Sequence, residues 1–167
     1  MKFKQSTILP IPAQQINLDE WLFQMSDKDY QESAKGHRAM GTFSQKGRRG
    51  MINVESIGGH FLIQHYMEER SSASEVVMFS PETCLYLTHI LPLKIGVRWT
   101  MNVTSETDGS SRFTCNVELL LPLWLRVIGT FAAMSHFVQS HTDEETLGFA
   151  RDITRKFKSN FNESTSI

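Results

Sequence analysis

Hydrophobic and polar residues alternate most regularly over residues 94–104 of the chain. The same alternation returns over residues 112–119, after an Asp108-Gly109 pair of the kind that favours tight hairpin turns. A period of two in both segments predicts an antiparallel hairpin with one buried side and one wet side. We therefore expect Val97, Trp99, Phe113 and Val117 to be buried, and Arg98, Thr100, Thr114 and Glu118 to be exposed.

Five earlier segments also have the pattern of strands. They cover residues 2–9, 37–44, 51–57, 60–69 and 76–91. Glycine pairs in the turns at 46–50 and 58–59 allow the positive φ angles that sharp turns need. Pro81 interrupts the last segment, which is compatible with one long strand carrying a bulge. Within 60–69, alternation groups Phe61, Ile63, His65 and Met67, and we predict that His65 points into the core.

Helices are predicted in two places. Asn17 and then Ser26 or Asp27 offer N-caps for two short helices that follow the first strand. Residues 121–138 are apolar on nearly every side, so a helix there must be covered on most sides. A capping-box pattern at Thr142–Glu145 precedes a further apolar stripe, so residues 123–157 form either one bent helix or two helices.

The length and net charge of the chain limit the classes of protein to which it could belong. The chain has 167 residues, which suits one domain over residues 1–160 with a frayed tail at 161–167. A net charge of −1 gives no reason to expect nucleic acid as a partner. The 121–138 run is too short to span a membrane, which takes about 20 apolar residues. No signal-peptide pattern opens the chain, so we expect a cytoplasmic protein in which Cys84 and Cys115 are free thiols.

The order of elements is one strand, two short helices, about six antiparallel strands and a C-terminal helical region. This order, with segments such as GHRAMGTF and EETLGFARDI, resembles the helix-grip fold of the START and Bet v 1-like superfamily, also called SRPBCC. The resemblance implies an α+β fold, in which a curved antiparallel sheet of about seven strands surrounds the C-terminal helix. It also implies a cavity between sheet and helix that takes an apolar or aromatic small molecule, as in the polyketide cyclases of that superfamily.

Motifs for metal or nucleophilic chemistry are missing from the sequence. Neither Cys-x-x-Cys nor His-Glu-x-x-His occurs, and His141 with Glu145 offers two metal ligands at most. We therefore expect no metal and no cofactor. The polar candidates for acid–base chemistry are His65, Tyr66, Tyr86 and Arg98, although alternation places Arg98 outside.

Methionine and aromatic side chains are frequent on the predicted inner surfaces, where they fill space loosely. The residues expected to contact a ligand are His65, Met67, Trp99, Met101, Phe113, Phe131, Met134 and Phe137. Three functions remain open. The first is binding of a hydrophobic or aromatic small molecule. The second is a cyclase- or dehydratase-like enzyme that acts on an apolar substrate. The third is an interaction protein that forms a homodimer through the 123–138 helix.

Overall fold

The computed structural model describes residues 1–122 and 131–164, without the side chains of 131–134 and 159–164. Seven strands form one antiparallel sheet in the order β1-β7-β6-β5-β4-β3-β2. Their bounds are β1 Lys2–Leu9, β2 His37–Gln45, β3 Arg48–Ile57, β4 His60–Ser71, β5 Glu75–Leu87, β6 Leu91–Ser105 and β7 Ser111–Leu120. Because β1 pairs with β7, the first and last strands of the chain are neighbours, and the predicted seven-stranded α+β architecture is confirmed.

Two short helices follow β1, as the caps predict. In α1 (Leu18–Phe23), the Asn17 side chain accepts a hydrogen bond from the backbone N–H of Glu20. In α2 (Asp27–Ser33), Ser26 and Asp29 form a reciprocal capping box. These caps satisfy backbone donors that each short helix would otherwise leave unpaired.

A single helix, α3 (Phe131–Ser164), is the last described element, and it packs against β1, β7 and α2. It passes through Thr142 without a break, and the Thr142 hydroxyl donates to the carbonyl of Val138, one turn earlier. The capping-box pattern at Thr142–Glu145 therefore does not start a second helix. Residues 123–130, which carry much of the predicted apolar helix and of the suggested homodimer surface, lie outside the described residues.

Proline is accommodated in β5 as the sequence suggests. The pairing of β5 with β6 shifts between Ser80 and Thr83, on either side of Pro81, and the strand continues to Leu87. The structure therefore shows one long, irregular strand, which was one of the possibilities for residues 76–91, but the strand ends at Leu87 and Leu91 already belongs to β6.

The core lies between the inner face of the sheet and the helices. Trp99, Met101 and Phe113 are almost fully buried, and Phe149 and Ile153 of α3 are completely buried against this face. The hairpin prediction is thus right for Val97, Trp99 and Phe113, but Val117 is only half-buried.

On the outer face of the hairpin, Arg98, Thr100 and Glu118 are half-buried rather than fully exposed. The prediction that Thr114 is exposed is wrong, because its hydroxyl lies 2.9 Å from that of Ser6 on β1.

The prediction for the faces of β4 is also wrong. Leu62, Gln64 and Tyr66 are buried, whereas His65 is exposed and Met67 is half-buried. Met67 pairs with Phe79 of β5, whose ring lies under the guanidinium of Arg98 on the outer face. Both sides of β4 carry apolar residues, so its sequence pattern alone does not determine which side is inside.

No helix among the described residues is both long enough and apolar enough to cross a bilayer.

Candidate functional site

A cavity of about 40 Å³ lies between the inner face of the sheet and α3. Most of its wall is apolar and is supplied by the central strands: Ile57, Leu62, Leu85, Ile95, Val97, Trp99, Val117 and Leu119. Phe137 and Val138 of α3 complete the wall. At about 10–15 Å³ per water, this space holds roughly three water molecules.

Phe137 is the most exposed part of the cavity wall given by α3, because this residue is 41% exposed whereas Val138 is buried. Its ring lies against Gly58 in the β3–β4 turn, where a Cβ would overlap the ring. Gly58 has a φ of +57°, a conformation that glycine adopts without strain. Ile57 and His60, on either side of this turn, line the cavity together with Phe137, and we call these three residues its rim.

Polar side chains occupy the part of the wall formed by β3 and β4. Asn53 and Glu55 of β3 point inward, and Asn53 pairs across the strands with Gln64, which also points inward. All three side chains are at most 5% exposed. The side-chain oxygens Asn53 Oδ1 and Gln64 Oε1 have no hydrogen-bond partner. The cavity is therefore apolar along most of its wall and polar at this end.

Four buried residues with ionisable side chains converge at the polar end. His37 is the cross-strand partner of Glu55, and His141 and Glu145 lie one turn apart on α3. His37 Nε2 is 3.4 Å from Glu145 Oε1, and His141 Nε2 is 3.7 Å from Glu55 Oε2. Neither pair has hydrogen-bond geometry, and both Nε2 atoms lack a partner. The ligand atoms of the four residues all lie within 4.8 Å of one another.

Residues of α2 fix the orientation of this cluster. The hydroxyl of Tyr30 donates to Glu55 Oε1 at 2.6 Å, and the backbone carbonyl of Tyr30 lies 2.7 Å from His37 Nδ1. The Tyr30 ring stacks on the His37 imidazole with the two ring planes 2° apart. On the sheet side, the thiol of Cys115 donates to Glu145 Oε2 at 3.8 Å.

Burial dominates the acid–base properties of the cluster. It raises the pKa of Glu145 to about 7, although His141 and the Cys115 thiol act in the opposite direction. Burial also lowers the pKa of His37, which Glu55 and the Tyr30 carbonyl partly oppose. The pKa values of Tyr30 and Cys115 are raised well above their ordinary ranges by burial, so both side chains are neutral donors at neutral pH.

Comparison with solved structures identifies the architecture. The protein TTHA0849 of Thermus thermophilus superposes with a TM-score of 0.68 at 12% identity, covering 93% of this chain and 99% of that one. The Zhui aromatase/cyclase of Streptomyces sp. R1128 superposes with a TM-score of 0.62 at 8% identity, covering 93% of this chain and 94% of that one. A START superfamily protein of Mycobacterium smegmatis superposes with a TM-score of 0.52 at 8% identity, covering 84% of this chain and 96% of that one.

The chain has the START and Bet v 1-like helix-grip fold. At these identities the similarity concerns the fold alone. No family model matches the sequence, and no curated protein matches it either.

Within this helix-grip fold, the residues predicted to contact a ligand are distributed over several places. Trp99 and Phe137 line the cavity. Met101 and Phe113 are buried elsewhere in the core, where Phe113 packs edge-on against Trp21. His65 is exposed and Met67 is half-buried on the other side of the sheet. Phe131 and Met134 lie on α3, but their side chains are outside the described part of the structure.

The acid–base candidates also differ in position. Tyr66 lines the cavity, whereas His65 and Arg98 are on the outer side of the sheet and Tyr86 does not line the cavity. Sequence reasoning missed His37, Glu55, Asn53 and Gln64. The spacing of His141 and Glu145 showed one half of the cluster, but only the β2–β3 register brings His37 and Glu55 to the other half.

Proposed function

We propose that this protein binds a small amphipathic molecule in the cavity between its sheet and α3. The apolar part of the ligand would lie against side chains such as Leu62, Val97 and Leu119, and its polar group would face Asn53, Gln64 and His141. Cavities with apolar walls and a few convergent polar groups are the usual form of small-molecule sites.

The observation that carries the proposal is the position of the unpartnered polar atoms. The described residues have four buried side-chain nitrogen or oxygen atoms without a hydrogen-bond partner. They belong to Asn53, Gln64 and His141, which line the cavity, and to His37, which lies beside it. Buried polar atoms nearly always have partners in native proteins, so water or the polar group of a ligand is expected here.

The size of the cavity limits how a ligand would enter. A space that holds about three waters accepts only a small group without rearrangement. A larger apolar body requires side chains at the rim to move. Phe137 is the described cavity-lining aromatic residue with the greatest exposure, so rotation of its ring away from Gly58 would widen the entrance.

The enzymatic alternative has support from the same site. An aromatase/cyclase is among the structural neighbours. Glu55, His141 and Glu145 line the cavity, and such groups serve as general acids and bases when they face a substrate. Recovery of a bound molecule unchanged after incubation would support binding alone, whereas conversion to a product would support a cyclase- or dehydratase-like reaction.

The test compares ligand-induced stabilisation in two matched variants. Val97→Leu adds one methylene group in the cavity, and Val103→Leu adds the same group to a buried residue of β6 that does not line it. A panel of fatty acids, flavonoids and polyketide-like aromatics is screened by thermal unfolding. A ligand at one hundred times its Kd stabilises the folded state by about 2.7 kcal/mol. For a chain of this size, that raises Tm by about 5–10 °C.

We expect Val97→Leu to reduce the ligand-induced rise in Tm and to cost little stability, because the added group enters existing space. Val103→Leu should lower the Tm of the free protein by overpacking the core and leave the ligand-induced rise intact. Binding in this cavity would be contradicted if both variants lost the ligand-induced rise in Tm equally. It would also be contradicted if no compound raised the Tm of the wild-type protein.

A further inference from the structure

The cluster of His37, Glu55, His141 and Glu145 has a second property, which does not depend on binding of an organic ligand. We propose that these four side chains form a binding site for one divalent transition-metal ion of the Zn²⁺ class. Two of the ligands come from the β2–β3 pair and two from one face of α3, so the ion would link the sheet to the helix.

The distances suit a four-coordinate ion. Bonds of about 2.0–2.1 Å to histidine nitrogen and carboxylate oxygen, in a tetrahedral arrangement, place neighbouring ligand atoms roughly 3.3–3.4 Å apart. His37 Nε2 and Glu145 Oε1 are 3.4 Å apart, and His141 Nε2 and Glu55 Oε2 are 3.7 Å apart. Since all four ligand atoms lie within 4.8 Å of one another, small side-chain shifts would complete the coordination.

The protonation of His37 favours metal ligation. A backbone carbonyl can only accept a hydrogen bond, so the 2.7 Å contact with Tyr30 O requires the proton to be on His37 Nδ1. In the neutral ring, Nε2 then carries a free lone pair that points into the cluster. A histidine oriented by a carbonyl through its other nitrogen is the usual arrangement in metal sites.

The other ligands have comparable support. Tyr30 OH donates to Glu55 Oε1 and leaves Oε2, the oxygen nearer to His141, available. His141 is 9% exposed, and its Nε2 has no partner. The absence of a side chain at Gly36 leaves room for the His141 ring, because a Cβ there would lie 2.9 Å from its atoms. In metal sites, hydrogen bonds from residues that do not contact the ion, such as the one from Tyr30 to Glu55, commonly fix the positions of the ligands.

Charge also favours a cation at this place. Glu55 and Glu145 are buried, and within the described residues their ion-pair partners are histidines rather than Lys or Arg. Two buried carboxylates without a permanent positive charge are costly. A divalent ion would balance both charges. Two imidazoles with two carboxylates suit Zn²⁺, Co²⁺ or Fe²⁺, whereas Ca²⁺ prefers six to eight oxygen ligands.

The experiment uses the untagged full-length chain, stripped of metal by a chelator and dialysed. Zn²⁺ uptake is measured by elemental analysis and isothermal titration calorimetry, and Co²⁺ serves as a spectroscopic probe. We expect one ion per chain, a rise in Tm with Zn²⁺, and the intense visible absorption of Co²⁺ in a tetrahedral site of nitrogen and oxygen ligands.

Two histidines of α3 provide a matched pair of variants. His141→Ala removes a proposed ligand and should weaken Zn²⁺ binding by at least about 100-fold, more than the loss of an outer hydrogen bond. His136→Ala removes an exposed histidine five residues earlier in the same helix and should bind as the wild type does. Tyr30→Phe, which removes only the hydrogen bond to Glu55, should weaken binding by about 10–100-fold.

Circular dichroism establishes that each variant is folded, and Glu145→Gln replaces His141→Ala if the latter does not fold. The proposal is overturned if the stripped wild-type protein takes up no stoichiometric Zn²⁺ or Co²⁺. It is also overturned if a folded His141→Ala or Glu145→Gln variant binds Zn²⁺ as tightly as His136→Ala. Neither result decides whether the cavity binds an organic molecule, because the Val97→Leu comparison tests that separately.

Discussion

Asp29 is a charged residue that joins the start of α2 to the end of α3. One carboxylate oxygen accepts hydrogen bonds from Ser26, and Lys156 and Arg155 of α3 lie 3.0 and 2.8 Å from the carboxylate. Partial burial would raise the pKa of Asp29, but the hydrogen bonds from Lys156 and Ser26 outweigh that effect and hold the pKa at about 2. Asp29 therefore stabilises both the capping box and the contact between the helices.

Replacing Asp29 by Asn should cost about 1–2 kcal/mol of unfolding free energy at neutral pH, after allowance for solvent screening. Because the pKa of the folded state is lower than that of the unfolded state, this stability is fully present above pH 3.8. It is lost as pH falls from 3.8 towards 2. Urea unfolding of Asp29→Asn and wild type at pH 6 and pH 3 measures the change, with Glu32→Gln, an exposed α2 variant, as control. An equal difference between Asp29→Asn and wild type at both pH values would contradict this account.

Individual residues also show where sequence patterns become ambiguous. Trp99 and Phe113 lie in strands whose opposite faces differ clearly in polarity, so their burial was predictable. His65 lies in a strand with apolar residues on both faces, and its sequence does not distinguish the two sides. The burial of Glu55 is harder still to predict, because nothing in the sequence distinguishes a buried carboxylate from an ordinary exposed one.

At the level of elements, the contact between α2 and α3 depends on Gly148. The backbone of Ser33 approaches so closely that a Cβ on Gly148 would overlap its carbonyl group. Gly36, the last residue before β2, similarly leaves space for His141. The two glycines thus allow α3 to pack closely against the end of α2 and the segment that follows it.

Gly148→Ala should therefore destabilise the protein by about 1–3 kcal/mol through overpacking. On an unobstructed helix, the same change would stabilise by up to about 1 kcal/mol, so the sign of the effect is informative. Chemical denaturation measures the change in unfolding free energy. Gly41→Ala is the control, because apart from the two neighbouring residues nothing lies within 4 Å of the added Cβ there. Stabilisation by Gly148→Ala would mean that α3 does not pack closely on Ser33.

The predictability of elements follows from how local their determinants are. The caps of α1 and α2 and the irregularity near Pro81 depend on a few adjacent residues, and the sequence indicates them. The pattern at Thr142–Glu145 is equally local but misleading. Burial of Thr142 and Glu145 against the sheet keeps α3 continuous through a segment that resembles a helix start.

For the molecule as a whole, the helix-grip architecture was predicted from the order of elements together with the resemblance of several segments to a known superfamily, and the long helix after the last strand favoured it. The candidate site was not predictable in the same way. It combines the β2–β3 register, the inner face of β4 and one face of α3, and no short sequence motif encodes such a combination. Of the residues predicted to contact a ligand, Trp99 and Phe137 line the cavity, and their contact with a ligand stays a prediction; the polar end is visible only in the folded chain.

We propose that the cavity between sheet and helix holds a small molecule. Native mass spectrometry of freshly purified protein, under conditions that preserve non-covalent complexes, tests it most directly. We expect wild type and Val103→Leu to carry an adduct with the mass of an organic molecule, either as purified or after incubation with the ligand panel. Val97→Leu should carry much less of this adduct. A wild-type protein that remains free of any such adduct in both conditions, or an adduct retained equally by Val97→Leu, would contradict the claim.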